Sequence, residues 1–167
     1  MASALALVLL RPLPGNAMTQ QRAGHPHTWK MKLRRGRHVM ARTPEPSRSF
    51  GRRVVGYARH FLGVRYSYGG VSPRTGFDCS GFVRYVYGHF GISLPHSSFA
   101  DLWRGRRVVS GHLRPGDLLF FDGASHVGIY VGRGRFIDAP HTGAVVRIST
   151  MRWYGATYDG ARRLAHR

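Results

Sequence analysis

Apolar residues recur with helical spacing between residues 50 and 62, and this spacing predicts a helix. Its buried face would be formed by Val54, Val55, Ala58, Phe61 and Leu62. Gly63 follows directly, and glycine readily adopts the left-handed backbone that ends many helices. The helix is therefore expected to end there.

A second helical pattern extends from Ser80 to Phe90. Its apolar face would be formed by Phe82, Val83, Val86 and Phe90. Gly91 is a C-terminal stop of the same kind as Gly63. A shorter helix is predicted from Ser98 to Trp103.

After these helices the pattern changes to short extended segments. In His126–Val131, apolar side chains at every second position would face one side of a sheet, and His126, Gly128 and Tyr130 the other. The predicted strands are Leu118–Phe121, His126–Val131, Arg135–Ala139, Ala144–Ile148 and one within the last 15 residues. Helices followed by antiparallel strands predict an α+β domain.

The first 49 residues differ in composition from the rest. Residues 1–17 contain an apolar run of the length of a signal-peptide core, but no Lys or Arg precedes it, so a signal-like segment and a misassigned start codon both fit. The run is too short to span a bilayer, and no other segment approaches that length. Residues 18–49 predict a basic flexible linker, which leaves 50–167 as the folded domain.

The chain carries 26 Lys and Arg against 7 Asp and Glu, a net charge of +19. Such a charge favours polyanionic partners, including anionic wall polymers that the basic N-terminal region could contact. The excess of arginine could equally reflect genome composition, and the linker an inert tail. A nucleic-acid motif with interleaved aromatic and basic residues is absent, so no nucleic-acid partner is expected.

The single cysteine, Cys79, excludes an internal disulfide and a Cys-based zinc cluster. It lies where a loop becomes the second helix, with Asp78 as a favourable N-cap. The helix dipole favours a thiolate at this position, although the charge of Asp78 would oppose it. Gly81 costs roughly 1 kcal/mol against Ala in a helix, and we expect it to allow close approach of a substrate backbone.

A nucleophilic thiol needs a base, and His126 is the best placed of the ten histidines. If the following hairpin turns symmetrically about Arg133, Asp138 becomes the diagonal neighbour of His126 and would hold its ring. A two-residue turn at Arg133 and Gly134 would reverse this parity unless a bulge restored it. His141 is the alternative third group.

These residues resemble the motifs of NlpC/P60 peptidases over roughly residues 50–150. The matching segments, in chain order, are Tyr66-Ser-Tyr-Gly-Gly70, Phe77-Asp-Cys-Ser-Gly-Phe-Val83, Leu94-Pro95, Pro115-Gly-Asp-Leu118 and Ser125-His-Val-Gly-Ile-Tyr-Val-Gly132. The segments around Cys79 and His126 are specific when they occur together.

The resemblance implies a papain-like α+β fold in which the helix that carries the catalytic Cys79 packs on a sheet that carries His126. It implies hydrolysis of peptidoglycan stem peptides, typically between D-glutamate and a diamino acid, by a secreted or cell-envelope enzyme without metal or cofactor. The third catalytic position falls on Asp138, where many members have His.

The same resemblance gives three residues a role in substrate binding. Tyr66 matches a tyrosine near the active site, and Asp78 and Ser80 match positions that receive the free amine of the stem peptide in some members. Two other readings stay open. One is a Cys-His acyltransferase or amidase on another substrate, and the other is a non-catalytic basic module that binds cell wall or nucleic acid.

Overall fold

The computed structural model describes residues 46–165, with side chains from residue 49 onward. The apolar segment 1–17 and residues 18–45 of the predicted linker lie outside the described residues. No helix in the described part of the chain is long and apolar enough to cross a membrane.

The first helix, α1, extends over Pro46–Ala58 and continues as a 3-10 turn over Arg59–Phe61. It begins four residues before the predicted start, at a proline, which is well tolerated in the first turn of a helix. Gly63 has φ +87, so the predicted stop is confirmed. The predicted buried face is confirmed except for Leu62, which follows the helical turns and is 39% exposed.

Helix α2, Cys79–Gly88, is the central helix of the domain. Its buried side chains include Phe82, Val83 and Val86, as the periodicity predicts, whereas Phe90 lies beyond the helix and is only partly buried. Gly91 has φ +76, which agrees with the predicted stop. Helix α3, Ser98–Asp101, is shorter than predicted and is capped by Ser97.

Six strands form one antiparallel sheet. Two short strands, β1 (Val71–Ser72) and β2 (Gly76–Phe77), form a separate hairpin before α2. The sheet strands are β3 (Arg106–Val108), β4 (Leu118–Phe121), β5 (His126–Gly132), β6 (Arg135–Asp138), β7 (Arg147–Thr150) and β8 (Tyr158–Arg163). Their order across the sheet is β3-β8-β4-β5-β6-β7. A short helix α4, Met151–Tyr154, connects β7 to the turn before β8.

The predicted strand Ala144–Ile148 is displaced. The strand in the structure is β7, which begins at Arg147, and Val145 forms only an isolated bridge with Arg65. Strand β3 was not predicted, because a three-residue strand with two exposed arginines carries no readable alternation.

The sheet has two apolar faces. One face packs against α1 and α2 and includes Phe120, Val127 and Ile129. The other face includes Leu119, Phe121 and Phe136, together with the partly buried Tyr154 from α4. Because side chains alternate along a strand, His126 shares the second face, where its ring lies close to those of Phe121 and Tyr154.

Candidate active site

Cys79 is the first residue of α2, and it is partly exposed. Asp78 caps the helix through Oδ1, which accepts a hydrogen bond of 2.7 Å from the amide of Gly81. The predicted cap is therefore confirmed. The thiol lies at the N-terminal end of the helix, with Sγ 3.9 Å from the carbonyl oxygen of Ser125.

His126 begins β5, where its ring interacts with both Cys79 and Asp138. Nε2 lies 2.9 Å from Oδ2 of Asp138, which leaves Nδ1 as the ring nitrogen available to the thiol. Burial alone would lower the pKa of His126. The hydrogen bonds and charges of Asp138 and Cys79 outweigh burial and raise this pKa from 6.5 to about 9.

Asp138 ends β6 and is fully buried. Its position depends on the hairpin that joins β5 to β6. Arg133 and Gly134 both have positive φ, 54 and 67, as in a two-residue type I′ turn. A bulge between Tyr130 and Gly132 compensates for this turn and restores the pairing of Ile129 with Ile137.

The next pair in this register is Gly128 opposite Asp138, and Asp138 therefore lies on the same face of the sheet as His126. The parity predicted from the sequence is confirmed, through the turn and bulge rather than through a symmetric turn. His141, the alternative, is exposed, and its Nδ1 lies 2.9 Å from the carbonyl oxygen of Thr142.

The residues predicted to bind substrate lie on the α2 side of the thiol. Tyr66 is partly buried, and its pKa is raised by burial and by the nearby Cys79 and Asp78. Ser80 is buried, and its hydroxyl lies 3.3 Å from Oδ1 of Asp78. Oδ2 of Asp78 accepts a 2.9 Å hydrogen bond from the amide of Gly69, three residues after Tyr66. The structure thus brings Tyr66, Asp78 and Ser80 together beside Cys79.

A model of the NlpC/P60 family matches residues 63–163, more than half of the 167 residues. The chain belongs to the NlpC/P60 family. The resemblance drawn from the motifs and the predicted α+β fold of the papain-like kind are both confirmed.

Two curated relatives and one solved structure illustrate the similarity. The NlpC/P60 chain is 48% identical over 93 residues to the probable endopeptidase p60 of Listeria innocua, covering 54% of this chain and 20% of that protein. It is 45% identical over 92 residues to the gamma-DL-glutamyl hydrolase of Bacillus subtilis, covering 52% and 22%. The chain thus spans about a fifth of the length of these two relatives.

The solved structure is the NlpC/p60 domain of the peptidoglycan hydrolase SagA. It is similar with a TM-score of 0.62 and 34% identity, and the match covers 67% of this chain and 97% of that one.

Two residues around the His126–Asp138 pair of this NlpC/P60 domain were missed by the sequence reasoning. Ser149 on β7 donates a 2.7 Å hydrogen bond to Oδ1 of Asp138, and the ring of Tyr154 stacks on His126 with centroids 6.0 Å apart. Ser149 was missed because the strand was predicted to end at Ile148. With the observed register, Ser149 lies opposite Phe136 and diagonal to Asp138.

His96 was also missed by the sequence reasoning. Its Nε2 lies 2.9 and 2.8 Å from Oδ1 and Oδ2 of Asp78. These two residues are 18 positions apart in irregular segments, so no periodic pattern could have paired them.

The reason expected for a glycine at position 81, close approach of a substrate backbone, was wrong. A Cβ at this position would lie 2.0 Å from the carbonyl oxygen of Gly70, so the space beside Gly81 is filled by the protein's own backbone rather than left for a substrate. Gly128, in contrast, makes room for a neighbouring side chain, because a Cβ there would lie 2.6 Å from the ring of Phe136.

The described residues hold no cluster of side chains that could bind a metal ion together. Within residues 46–165, no group of three or more His, Cys, Asp or Glu side chains could hold a metal ion.

Proposed function

We propose that this NlpC/P60 domain is a cysteine peptidase that hydrolyses amide bonds in peptidoglycan stem peptides, with Cys79 as nucleophile, His126 as base and Asp138 as the residue that orients it. The observation that carries the proposal is the continuous contact from the partly exposed thiol through His126 to the buried Asp138. A partly exposed nucleophile, a base within hydrogen-bond reach and a third group that orients the base together make a hydrolytic triad.

The exposure of Cys79 argues against an inert thiol. A structural cysteine is buried in apolar packing, whereas the sulfur here lies at a helix N-terminus beside an imidazole. This setting favours a catalytic domain over a basic binding module.

In the first step of the proposed reaction, the thiolate of Cys79 attacks the amide carbonyl. The amide of Cys79 opens α2 and has no preceding helical turn to donate to, so it can donate to the oxyanion. Tyr66 interacts electrostatically with both Cys79 and Asp78, which places its hydroxyl near the nucleophile.

His126 then acts as acid and base in turn. With a pKa raised to about 9, its imidazole holds a proton at neutral pH and can pass it to the leaving amine. In the second step the neutral ring accepts a proton from water, which hydrolyses the thioester. Asp138 stabilises the imidazolium and fixes Nε2 as the nitrogen that faces away from the thiol.

The substrate class is proposed from the relatives. SagA is named as a peptidoglycan hydrolase, and the Bacillus subtilis relative as a gamma-DL-glutamyl hydrolase. We therefore propose the bond between D-glutamate and the diamino acid of the stem peptide as the target. Action on this polymer would place the protein in the bacterial cell envelope or outside the cell.

The test is cleavage of defined stem peptides followed by mass spectrometry. The unmodified chain should release the D-glutamyl fragment, and Cys79→Ala should abolish the release while leaving the circular dichroism spectrum unchanged. Asp138→Ala should slow turnover about a hundred-fold or more, since a mispositioned base loses much of its catalytic effect. Undiminished cleavage by Cys79→Ala would refute the nucleophile. Cleavage only with a thioester donor and an added amine would favour acyl transfer instead.

A further inference from the structure

Both carboxylate oxygens of Asp78 have hydrogen-bond partners within the protein. Oδ1 accepts from the amide of Gly81 at 2.7 Å, and the Ser80 hydroxyl lies 3.3 Å from it, while Oδ2 accepts from the amide of Gly69 at 2.9 Å. His96 Nε2 lies within 2.9 Å of both oxygens. A carboxylate has about four acceptor positions, so these donors together fill it.

If a ligand replaced either of two of these donors, it would disturb the backbone around the nucleophile. The Gly81 amide is the N-cap contact of the helix that carries Cys79, and the Gly69 amide fixes the loop that follows Tyr66. Loss of a helix cap typically costs about 1 kcal/mol and would disturb the nucleophile itself. Of the two remaining donors, Ser80 is buried and His96 is partly exposed, so a ligand amine that approaches Asp78 from solvent meets His96 first.

His96 is well placed to exclude such an amine. Its side chain is 27% exposed and that of Asp78 only 12%, so the imidazole covers the side of the carboxylate that the helix and loop leave open. The two short contacts from one nitrogen hold the ring across both oxygens.

We propose that His96 is a specificity-determining residue that closes Asp78 to the N-terminal amine of the stem peptide. The site then takes stem peptides whose amine is already acylated, as it is where the peptide is joined to its glycan strand, and has no requirement for a free amine. This inference rests on the proposed function. It gives Asp78 the role of holding the nucleophile's helix and the Tyr66 loop, rather than that of a counter-ion for substrate.

The experiment compares one stem peptide, spanning the D-glutamyl–diamino acid bond, with its N-terminal amine either free or acetylated. For the unmodified chain, kcat/KM for the acetylated peptide should equal or exceed that for the free peptide. For His96→Ala, the ratio of free to acetylated kcat/KM should rise by about ten-fold or more, because the variant exposes a carboxylate to the ammonium group. His112→Ala, which changes an exposed histidine away from Asp78, should leave the ratio unchanged.

The comparison on the unmodified chain decides the proposal even if His96→Ala fails to fold. A preference of about ten-fold or more for the free amine would overturn it, since it would mean that Asp78 is open to substrate. An unchanged ratio in folded His96→Ala would overturn the role of His96. Absence of cleavage of both peptides would instead refute the proposed hydrolase, so the two failures are distinguishable.

Discussion

Ser149 Oγ donates a 2.7 Å hydrogen bond to Oδ1 of Asp138, while Oδ2 of the same carboxylate lies 2.9 Å from His126. Asp138 is fully buried, so each of its oxygens needs a partner within the protein. Ser149 therefore fixes the rotation of the carboxylate that faces the imidazole. Its place on β7 makes an edge strand part of the support of the active site.

Replacing Ser149 should slow catalysis, because the Asp138 carboxylate would lose the hydrogen bond that fixes its rotation. Ser149→Ala leaves Oδ1 without its donor, a loss worth about 1–3 kcal/mol for a buried group, and we expect kcat to fall by about ten-fold or more with little change in KM. Ser149→Thr keeps the hydroxyl on a residue suited to a strand and should restore most of kcat. Steady-state kinetics on stem peptides measure both, and Ser98→Ala, at another buried serine, serves as the control. A threonine variant as slow as the alanine variant would contradict this role.

The raised pKa of His126 predicts that stability falls in alkaline solution. A folded-state pKa of about 9 against the ordinary 6.5 means that the folded chain holds this proton more tightly than the unfolded chain. The resulting stabilisation is complete below pH 6.5 and is lost as pH rises through 9, by up to about 3 kcal/mol.

Urea unfolding at pH 6, 8 and 10 measures this loss. Asp138→Asn keeps an acceptor for the imidazole but removes the charge that helps to raise the pKa of His126. The fall in the free energy of unfolding between pH 6 and 10 should be smaller in this variant. An equal fall would mean that other groups cause the alkaline loss.

Much of this site is predictable because it follows local rules. The cap by Asp78 and the position of Cys79 depend on adjacent residues, and the shared face of His126 and Asp138 follows from strand alternation once the register is known. That register depends on a bulge that compensates for a two-residue turn. The sequence allows this combination but does not distinguish it from a symmetric turn. His96 could not be placed, because its contact with Asp78 joins two irregular segments whose meeting depends on the whole tertiary fold.

Asp101 predicts a second effect of pH on stability, in a lower range. Its side chain is fully buried on α3, and neither carboxylate oxygen has a hydrogen-bond partner among the described residues. Burial raises its pKa from 3.8 to about 7, although Arg104 acts in the opposite direction. The fold thus favours the protonated form, and stability should fall as pH rises from 4 through 7, by up to about 4 kcal/mol.

The neutral variant Asp101→Asn should remove this dependence. We expect it to unfold at higher urea than the parent at pH 8, where Asp101 is charged, and at a similar or slightly lower urea concentration at pH 5. The difference in midpoint between the two pH values is the decisive quantity. If the parent and Asp101→Asn lose stability equally from pH 5 to pH 8, the carboxylate has a partner that neutralises it.

Two glycines of α2 offer a matched test of the close approach between this helix and the loop before it. A Cβ at Gly81 would lie 2.0 Å from the carbonyl oxygen of Gly70, whereas a Cβ at Gly88 would meet no atom within 4 Å. Gly81→Ala must displace either the helix start that carries Cys79 or the loop that contains Gly69. We expect a loss of about 2 kcal/mol or more, as for other overpacking substitutions, together with loss of peptidase activity.

Gly88→Ala should be neutral or stabilising by about 0.5–1 kcal/mol, because alanine has the higher helix propensity and lowers the entropy of the unfolded chain. Thermal unfolding followed by circular dichroism compares the two variants in the same helix. Equal stability of Gly81→Ala and Gly88→Ala would show that the loop can move away from the helix start. Retained activity in Gly81→Ala would further show that the cleft does not need the Gly70 carbonyl where the structure has it.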